Sequence, residues 1–364
     1  MFERYGRLAE QALRDEPPSR DECRWILDGA DTALLPLLQA AFVPRERHFG
    51  RRVQVHILNN VQNALCPEDC GYCSQSRDAT APLRKYPLKP RAEILADAER
   101  AARAGVTRYC LVLSGRGPTL ERTRELADVV REIKARLPIQ VCLSCGLLDE
   151  EHARILAAAG LDRLNHNLNT SERHYPSICS THGYADRVRT LVAAKKSGIE
   201  PCSGFILGMG ETSDDVLEVA FALRELEVPS IPVNFLVPIE GNRVQSDGTL
   251  TPERCLRALA LLRLTNPRAE IRAAGGREGH LRSLGPLVLW PANSLFVEGY
   301  LTTRGDTLAE TYRMIADAGF SVDGNPLFRD EPAPAVFEFR LTGTDEILRP
   351  DVAAPVRGPA ARTS

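Results

Sequence analysis

The sequence predicts an α/β protein built as a (β/α)8 TIM-type barrel with an N-terminal helical cap and a C-terminal extension. Three observations lead there. From about residue 52 to residue 318, eight short β-branched or apolar runs alternate with longer amphipathic helical stretches, the pattern of parallel βα units. A chain of 364 residues has room for such a barrel, which takes about 250 residues before insertions. Several runs also carry polar or thiol side chains at alternate positions, which a closed sheet can turn into its lumen.

Residues 1–50 form the cap, with apolar positions at helical spacing in LAEQAL and DTALLPLLQAAF, followed by a basic link, RERHFGRR. The barrel spans 51–320. Its candidate strands are VQVHIL, TRYCLVLS, IQVCLSCG, RLNHNL, EPCSGFILG, SIPVNFLVP, EIRAAGG and SLFVEGY. Helical stretches such as RAEILADAERAARAG and TRELADVVREIKARL lie between them and stop near Gly, Pro or Asn. Residues 321–364 are rich in Pro and Ala without periodicity, except AVFEFRL, which alternates as a short strand would. They read as a flexible or latching extension.

Composition narrows the function. Hydrophobic residues at 43% and charged residues at 26% suit a globular chain, and a net charge of -2 without a basic stripe offers nothing to nucleic acid or anionic membrane. The N-terminus lacks the apolar core of a signal peptide, and no window approaches the roughly 18 apolar residues of a membrane span. A cytoplasmic location is expected. Thiols stay reduced there, so the ten cysteines read as ligands, catalytic groups or core before disulfides.

Strand parity sorts the lumen. In TRYCLVLS, Tyr109, Leu111 and Leu113 suit the helix-packing face, leaving Arg108, Cys110 and Val112 inward; in IQVCLSCG, Gln140, Cys142 and Ser144 turn inward by the same rule. Asn165, Asn167 and Asn169 share a face, as do Cys202, Gly204 and Ile206. Asn234 lies opposite Val233 and Phe235, and Arg272 opposite Ile271. An ordinary barrel interior holds Val, Ile and Leu instead, and polar groups buried without partners are costly, so a polar or metallic occupant is expected. A single buried Cys is most often a small hydrophobe. Three beside an arginine suit a small iron–sulfur cluster.

Past the first strand, ALCPEDCGYCSQS places Cys66, Cys70 and Cys73 in a Cys-x-x-x-Cys-x-x-Cys run on the face where barrel active sites sit. Structural zinc would want a fourth ligand with its own short spacing, which HGYADR and HLRS do not supply convincingly. A four-iron, four-sulfur cluster would leave one iron open.

This loop, with Tyr72 before the last Cys, resembles the signature of the radical S-adenosylmethionine superfamily. The strings LNHNLNTSERHY, PCSGFILGMGET, SIPVNFL, IRAAGGRE and ANSLFVEGYLTT resemble its biotin synthase family, in chain order from about residue 40 to 320. The resemblance implies that Cys66, Cys70 and Cys73 hold a 4Fe-4S cluster whose open iron takes S-adenosylmethionine. It implies a second, 2Fe-2S cluster on Cys110, Cys142, Cys202 and Arg272. Tyr72, Asn167, Asn169, Ser114, Ile206 and Val237 would then bind S-adenosylmethionine, and Asn165, Asn234, Thr302 and Thr303 dethiobiotin. Asn169 departs from relatives that carry Asp there.

The implied reaction inserts sulfur at C9 and then C6 of dethiobiotin, the 2Fe-2S cluster serving as sulfur donor. Implied partners are an electron donor such as flavodoxin or ferredoxin, iron–sulfur assembly proteins and a second copy in a homodimer. Two alternatives remain: a hydrogenase-maturation or methylornithine-type enzyme on the same barrel, and a non-catalytic iron–sulfur carrier or zinc-structured binding protein. Of the other cysteines, Cys145 and Cys255 read as core, Cys23 as preceding a helix, and Cys179 as a spare thiol on the active-site side. Pro291, before ANS, reads as stiffening the entry to the eighth strand.

Overall fold

The eight candidate strands pair as one closed, all-parallel ring in the computed structural model of the chain. The structure describes residues 2–246, 248–298 and 305–323, and the backbone of 339–340 and 347–348. The strands are β1 Arg52–Gln62, β2 Arg108–Leu113, β3 Gln140–Ser144, β4 Arg163–Asn165, β5 Glu200–Cys202, β6 Phe205–Leu207, β7 Ser230–Phe235, β8 Glu270–Ala273 and β9 Ser294–Phe296. They run β1-β2-β3-β4-β5-β7-β8-β9, with β6 continuing β5 along β7. The ring closes where Gln54, Val55 and His56 of β1 pair with Ser294, Leu295 and Phe296 of β9.

The fifth strand is broken at Ser203 and Gly204, where it turns from β5 to β6. A Cβ on Gly204 would stand 1.7 Å from the Pro232 carbonyl oxygen, so only glycine lets the two backbones approach this closely. The outer faces of the strands, including Leu111, Val141, Leu143, Ile231, Val233 and Ile271, are completely buried. They meet the surrounding helices, which include α4 Arg91–Arg103, α5 Leu120–Arg136, α6 Glu150–Ala158, α8 Tyr184–Lys196, α9 Ser213–Glu225 and α10 Pro252–Thr265; two short helices, α7 Tyr175–Ile178 and α11 Arg277–Leu281, lie in the loops after β4 and β8.

The cap consists of α1 Phe2–Leu13, α2 Arg20–Asp28 and α3 Leu34–Phe49, packed over α10. This explains why every residue of α10 from Cys255 to Thr265 is buried, a helix covered on all sides. Two features differ from the sequence reading. Cys23 lies inside α2, because Ser19 and Glu22 form a capping box that starts the helix at Arg20. The basic run RERHFGRR is mostly the end of α3, and Arg45 is buried, donating to the carbonyls of Gly50, Arg52 (3.0 Å) and Ala292 (3.4 Å). Orphan carbonyls at the bottom of the barrel thus hold a guanidinium that charge alone would assign to solvent.

After β9 come α12 Leu308–Asp317 and β10 Ser321–Val322, which pairs with the start of β1. Contacts group Met1–Asn325 as one unit and Pro326–Ser364 as another; in the latter, Phe339–Arg340 pairs antiparallel with Ile347–Leu348, within and beyond AVFEFRL.

Candidate active site

Two left-handed residues, Ala64 (φ 56°) and Leu65 (φ 59°), turn the chain over the barrel mouth directly after β1. The cysteine loop follows and is pinned by two others. Asp69 accepts from the backbone of Ser180 (2.9 Å) and Thr181 (3.2 Å) and from the Ser180 hydroxyl. Gly71 donates to the Ile178 carbonyl at 2.8 Å and accepts from the Val244 amide at 2.9 Å. Burial opposes ionisation of Asp69, but the Ser180 and Thr181 donors outweigh it and hold the carboxyl well below the usual range.

Cys66, Cys70 and Cys73 line a cavity of about 280 Å³ that reaches down to Cys110, Cys142 and Arg272 in the lumen. The mouth loop and the barrel interior therefore share one chamber. Its wall also includes Tyr72, Ser114, Asn165, Asn167, Asn169, Ile206, Asn234 and Val237. Thr302 and Thr303 lie outside the described residues. Asn169, at φ 70°, donates to the Tyr72 hydroxyl at 2.5 Å and ties its backbone to Gly204 and Ile206. Asn tolerates that left-handed conformation better than most residues. Asn167 Oδ1 accepts from Asn165 Nδ2 and from the Gly204 amide, both at 3.1 Å. Asn234 Oδ1 accepts from the Gly275 amide at 3.0 Å, and the Ser114 hydroxyl donates to the Ala64 carbonyl.

Cys110 and Cys142 are register partners on β2 and β3 and pack together in one buried cluster with Ala274 and Phe296. Cys202, completely buried, accepts from Asn165 Nδ2 (3.3 Å) and lies 3.7 Å from Arg272 Nη1. The register pair splits: contact with Cys110 and burial push the Cys142 thiol well above the ordinary value, while Cys110 goes the other way. Burial pushes Cys23, Cys145 and Cys255 up to about 12, whereas the neighbouring Cys142 thiol, with Arg272 and Arg108, pulls Cys110 below the ordinary thiol value.

Beneath the thiols lies a charge network that the sequence reading did not assemble. Glu270 accepts from Arg163 (2.6 Å), Arg108 (3.4 Å) and Arg272, and lies 3.3 Å from His56 Nε2. Burial, reinforced by Arg272, keeps His56 neutral. Three guanidinium groups thus surround one fully buried carboxylate; Glu200, bonded to Arg163 at 2.7 Å, is half-exposed. The lumen floor carries excess positive charge that faces the thiols. Parity could have found these residues: Arg163 shares the face of Asn165, Glu270 that of Arg272, and Ser230 that of Asn234.

Cys179 is buried rather than spare. Its Sγ lies 3.7 Å from Cys70 Sγ and 3.4 Å from His182 Nδ1. His182 belongs to the segment HGYADR, so the structure brings to the cysteine loop a histidine that its sequence spacing did not recommend.

Comparison with known proteins gives a consistent result. Residues 63–223 match the family model described as Radical SAM superfamily, and residues 232–321 the one described as Biotin and Thiamin Synthesis associated domain. A biotin synthase of Acaryochloris marina is 54% identical over 89% of this chain and 94% of its own length. One of Magnetococcus marinus is 52% identical over 87% and 98%. Among solved structures, methylornithine synthase superposes with a TM-score of 0.74 at 19% identity, covering 86% of this chain and 97% of that one. The FeFe-hydrogenase maturase HydG from Carboxydothermus hydrogenoformans also gives 0.74 at 19%, covering 90% and 80%. At that identity the two structures share the fold with this chain, and no more is carried over from them.

Proposed function

The chain belongs to the biotin synthase family of radical SAM enzymes, and from that premise we propose how its residues divide the work. Cys66, Cys70 and Cys73 would hold a 4Fe-4S cluster, and Cys110, Cys142, Cys202 and Arg272 a 2Fe-2S cluster. When bound, the first supplies the electron that cleaves S-adenosylmethionine and the second the sulfur that enters dethiobiotin at C9 and C6.

The donor sets fit these groups. An oxidised two-iron core with three thiolates carries net negative charge, and the lumen floor supplies the balancing positive charge from Arg108, Arg163 and Arg272. Arg272 is the guanidinium within reach of a thiol, and Ser230 and Ser294, each 3.0 Å away, fix its plane with Glu270. Arginine has no ordinary lone pair to offer, so charge balance is the larger part of its role.

Above the thiols, Asn167 and Asn169 present amides suited to a ribose diol, Asn169 being steadied by Tyr72. Ser114, Ile206 and Val237 complete the cofactor wall. Asn165 and Asn234, between the two thiol sets, would contact dethiobiotin together with Thr302 and Thr303. The barrel wall keeps bulk water from carbon radicals.

The observation that carries this reading is the single chamber lined by Cys66, Cys70 and Cys73 above and by Cys110, Cys142 and Arg272 below. A methylornithine-type or hydrogenase-maturase activity does not call for the lower set. The test is an anaerobic assay of the reconstituted chain with dethiobiotin, reductant and S-adenosylmethionine, following biotin and 5'-deoxyadenosine together and counting iron and sulfide. Biotin formed at the expense of cluster sulfide is expected. Deoxyadenosine without biotin in fully loaded protein would remove the sulfur-insertion reading.

Among the described residues no helix is long and apolar enough to cross a membrane. We place the working enzyme in the cytoplasm as a homodimer, supplied with electrons by a flavodoxin or ferredoxin and with iron and sulfide by assembly proteins. The family membership and the need for an external electron support this.

A further inference from the structure

We propose that Cys70, Cys179 and His182 form a site for one soft divalent cation of the zinc class when the chain lacks its iron–sulfur clusters. All three side chains are at least nine-tenths buried, and one ligand atom from each lies within 4.8 Å of the other two. The two sulfurs are 3.7 Å apart. A tetrahedral ion with metal–sulfur bonds of about 2.3 Å sets its sulfurs about 3.8 Å apart, so this pair is already at ligand spacing.

The histidine is prepared in the manner of a metal ligand. Its Nδ1 bonds Glu68 Oε2 at 2.5 Å, which places the hydrogen on Nδ1 and leaves the lone pair on Nε2, 3.9 Å from Cys179 Sγ. Glu68 is held in turn by Thr181 at 2.6 Å and Arg116 at 3.1 Å. Arg187 now donates to Nε2 at 2.9 Å; it also holds the Asn167 carbonyl at 2.8 Å and the Tyr175 hydroxyl, so it keeps partners when a cation takes its place. A water completes four ligands, since Asp69 is held by Ser180 and Thr181 and stays outside the group.

The charges facing the site are Glu68, Asp69 and the thiols on one side and Arg187 and Arg116 on the other. Binding forms two metal–thiolate bonds and one metal–imidazole bond and releases the two thiol protons to solvent, with no change of oxidation state. The ligand set borrows one thiol from the mouth loop and ignores Cys66 and Cys73. A cation here therefore withdraws Cys70 from the four-iron set, and the two occupants exclude each other; that last consequence alone rests on the cluster assignment above.

The experiment uses full-length, reduced, chelator-stripped protein under anaerobic conditions, in a Cys110→Ser/Cys142→Ser background so that lumen thiols cannot contribute. Cobalt(II) is the probe and zinc(II) the competitor. One cobalt per chain is expected, with thiolate-to-cobalt charge transfer and intense tetrahedral visible bands that zinc abolishes. Cys179→Ser and Cys179→Ala should each remove the signal, Glu68→Gln should weaken binding roughly tenfold as a lost outer partner does, and Cys66→Ser and Cys73→Ser should leave it unchanged. Circular dichroism on each variant confirms that it folds.

A signal that survives loss of Cys179, or that falls equally with Cys66 or Cys73, overturns the site. In the exclusion arm, zinc-loaded protein should take up less iron and sulfide than the same protein stripped of zinc. Equal uptake with zinc retained overturns the exclusion. Failure of the stripped protein to take up any cluster speaks against the four-iron assignment and not against the cation site.

Discussion

The guanidinium of Arg272 stands 3.7 Å from the thiol of Cys202 and is held from behind by Glu270, the one fully buried carboxylate of the lumen floor. The pair sits on one strand, two residues apart, so the alternation that turns Arg272 inward delivers its counter-ion as well. The carboxylate does two jobs: it anchors three arginines and leaves the floor positive.

Glu270→Gln should expose that balance. Burial would raise the Glu270 carboxyl, but Arg272 and Arg163 overcome it and hold it well below its unperturbed 4.5. A depressed acid contributes its full stability above the unfolded value and loses it as pH falls through the folded one. The wild type should thus weaken as pH drops below 4.5. The variant should be less stable at pH 7 by about 3–5 kcal/mol, the cost of breaking a buried pair, with a shallower acid limb. Denaturant titrations at pH 7 and in acid check this; parallel curves would remove Glu270 from the network.

Cys66→Ala should abolish deoxyadenosine formation, because the proposed four-iron set would keep only two of its thiols. Cys110→Ala should retain some deoxyadenosine formation and yield no biotin. Chromatography of both products under strong reductant separates the outcomes. Biotin from the Cys110→Ala protein would count against the sulfur-donor role of the lumen set.

Tyr72→Phe removes the oxygen that Asn169 Nδ2 meets at 2.5 Å. A lost neutral hydrogen bond is worth about 1 kcal/mol, so KM for S-adenosylmethionine should rise roughly fivefold with kcat little altered. Steady-state kinetics with dethiobiotin saturating are the check. A fall in kcat at constant KM would assign Tyr72 to the chemical step instead.

Gly204→Ala sets a methyl against the Pro232 carbonyl at 1.7 Å, and the obstacle is backbone rather than a side chain that can swing away. Neighbouring Cys202 and the bridge from Asn169 would move with it. Loss of at least about 3 kcal/mol, or failure to accumulate folded protein, is expected. Thermal unfolding near that of the wild type would show that the fifth strand can shift.

The parts read without coordinates were those governed by a period. Strand alternation placed Cys110, Cys142, Asn165, Asn234 and Arg272 on the wall of one cavity, with Cys202 buried beside Asn165 and Arg272; β4 ends at Asn165, so Asn167 and the left-handed Asn169 reach that wall from the loop and not by the parity the sequence suggests. The same alternation covered Arg163 and Glu270, but a charged residue is usually solvated and their pairing spans 107 positions, so nothing local marked them as partners. Arg45, within the basic link RERHFGRR, is likewise buried without any local sign of it.

The sequence by itself determined the number of strands in the ring, the side a residue faces wherever its strand runs unbroken, and the spacing of the loop thiols, because these follow from backbone geometry within a few residues. Only the tertiary structure decided that Cys70 and Cys179, 109 positions apart, share van der Waals reach, and that His182 joins them. Those contacts depend on Asp69 and Gly71 stitching two loops together across the barrel mouth. Loop closure of that kind is set by hydrogen bonds between distant segments, for which a sequence carries no period.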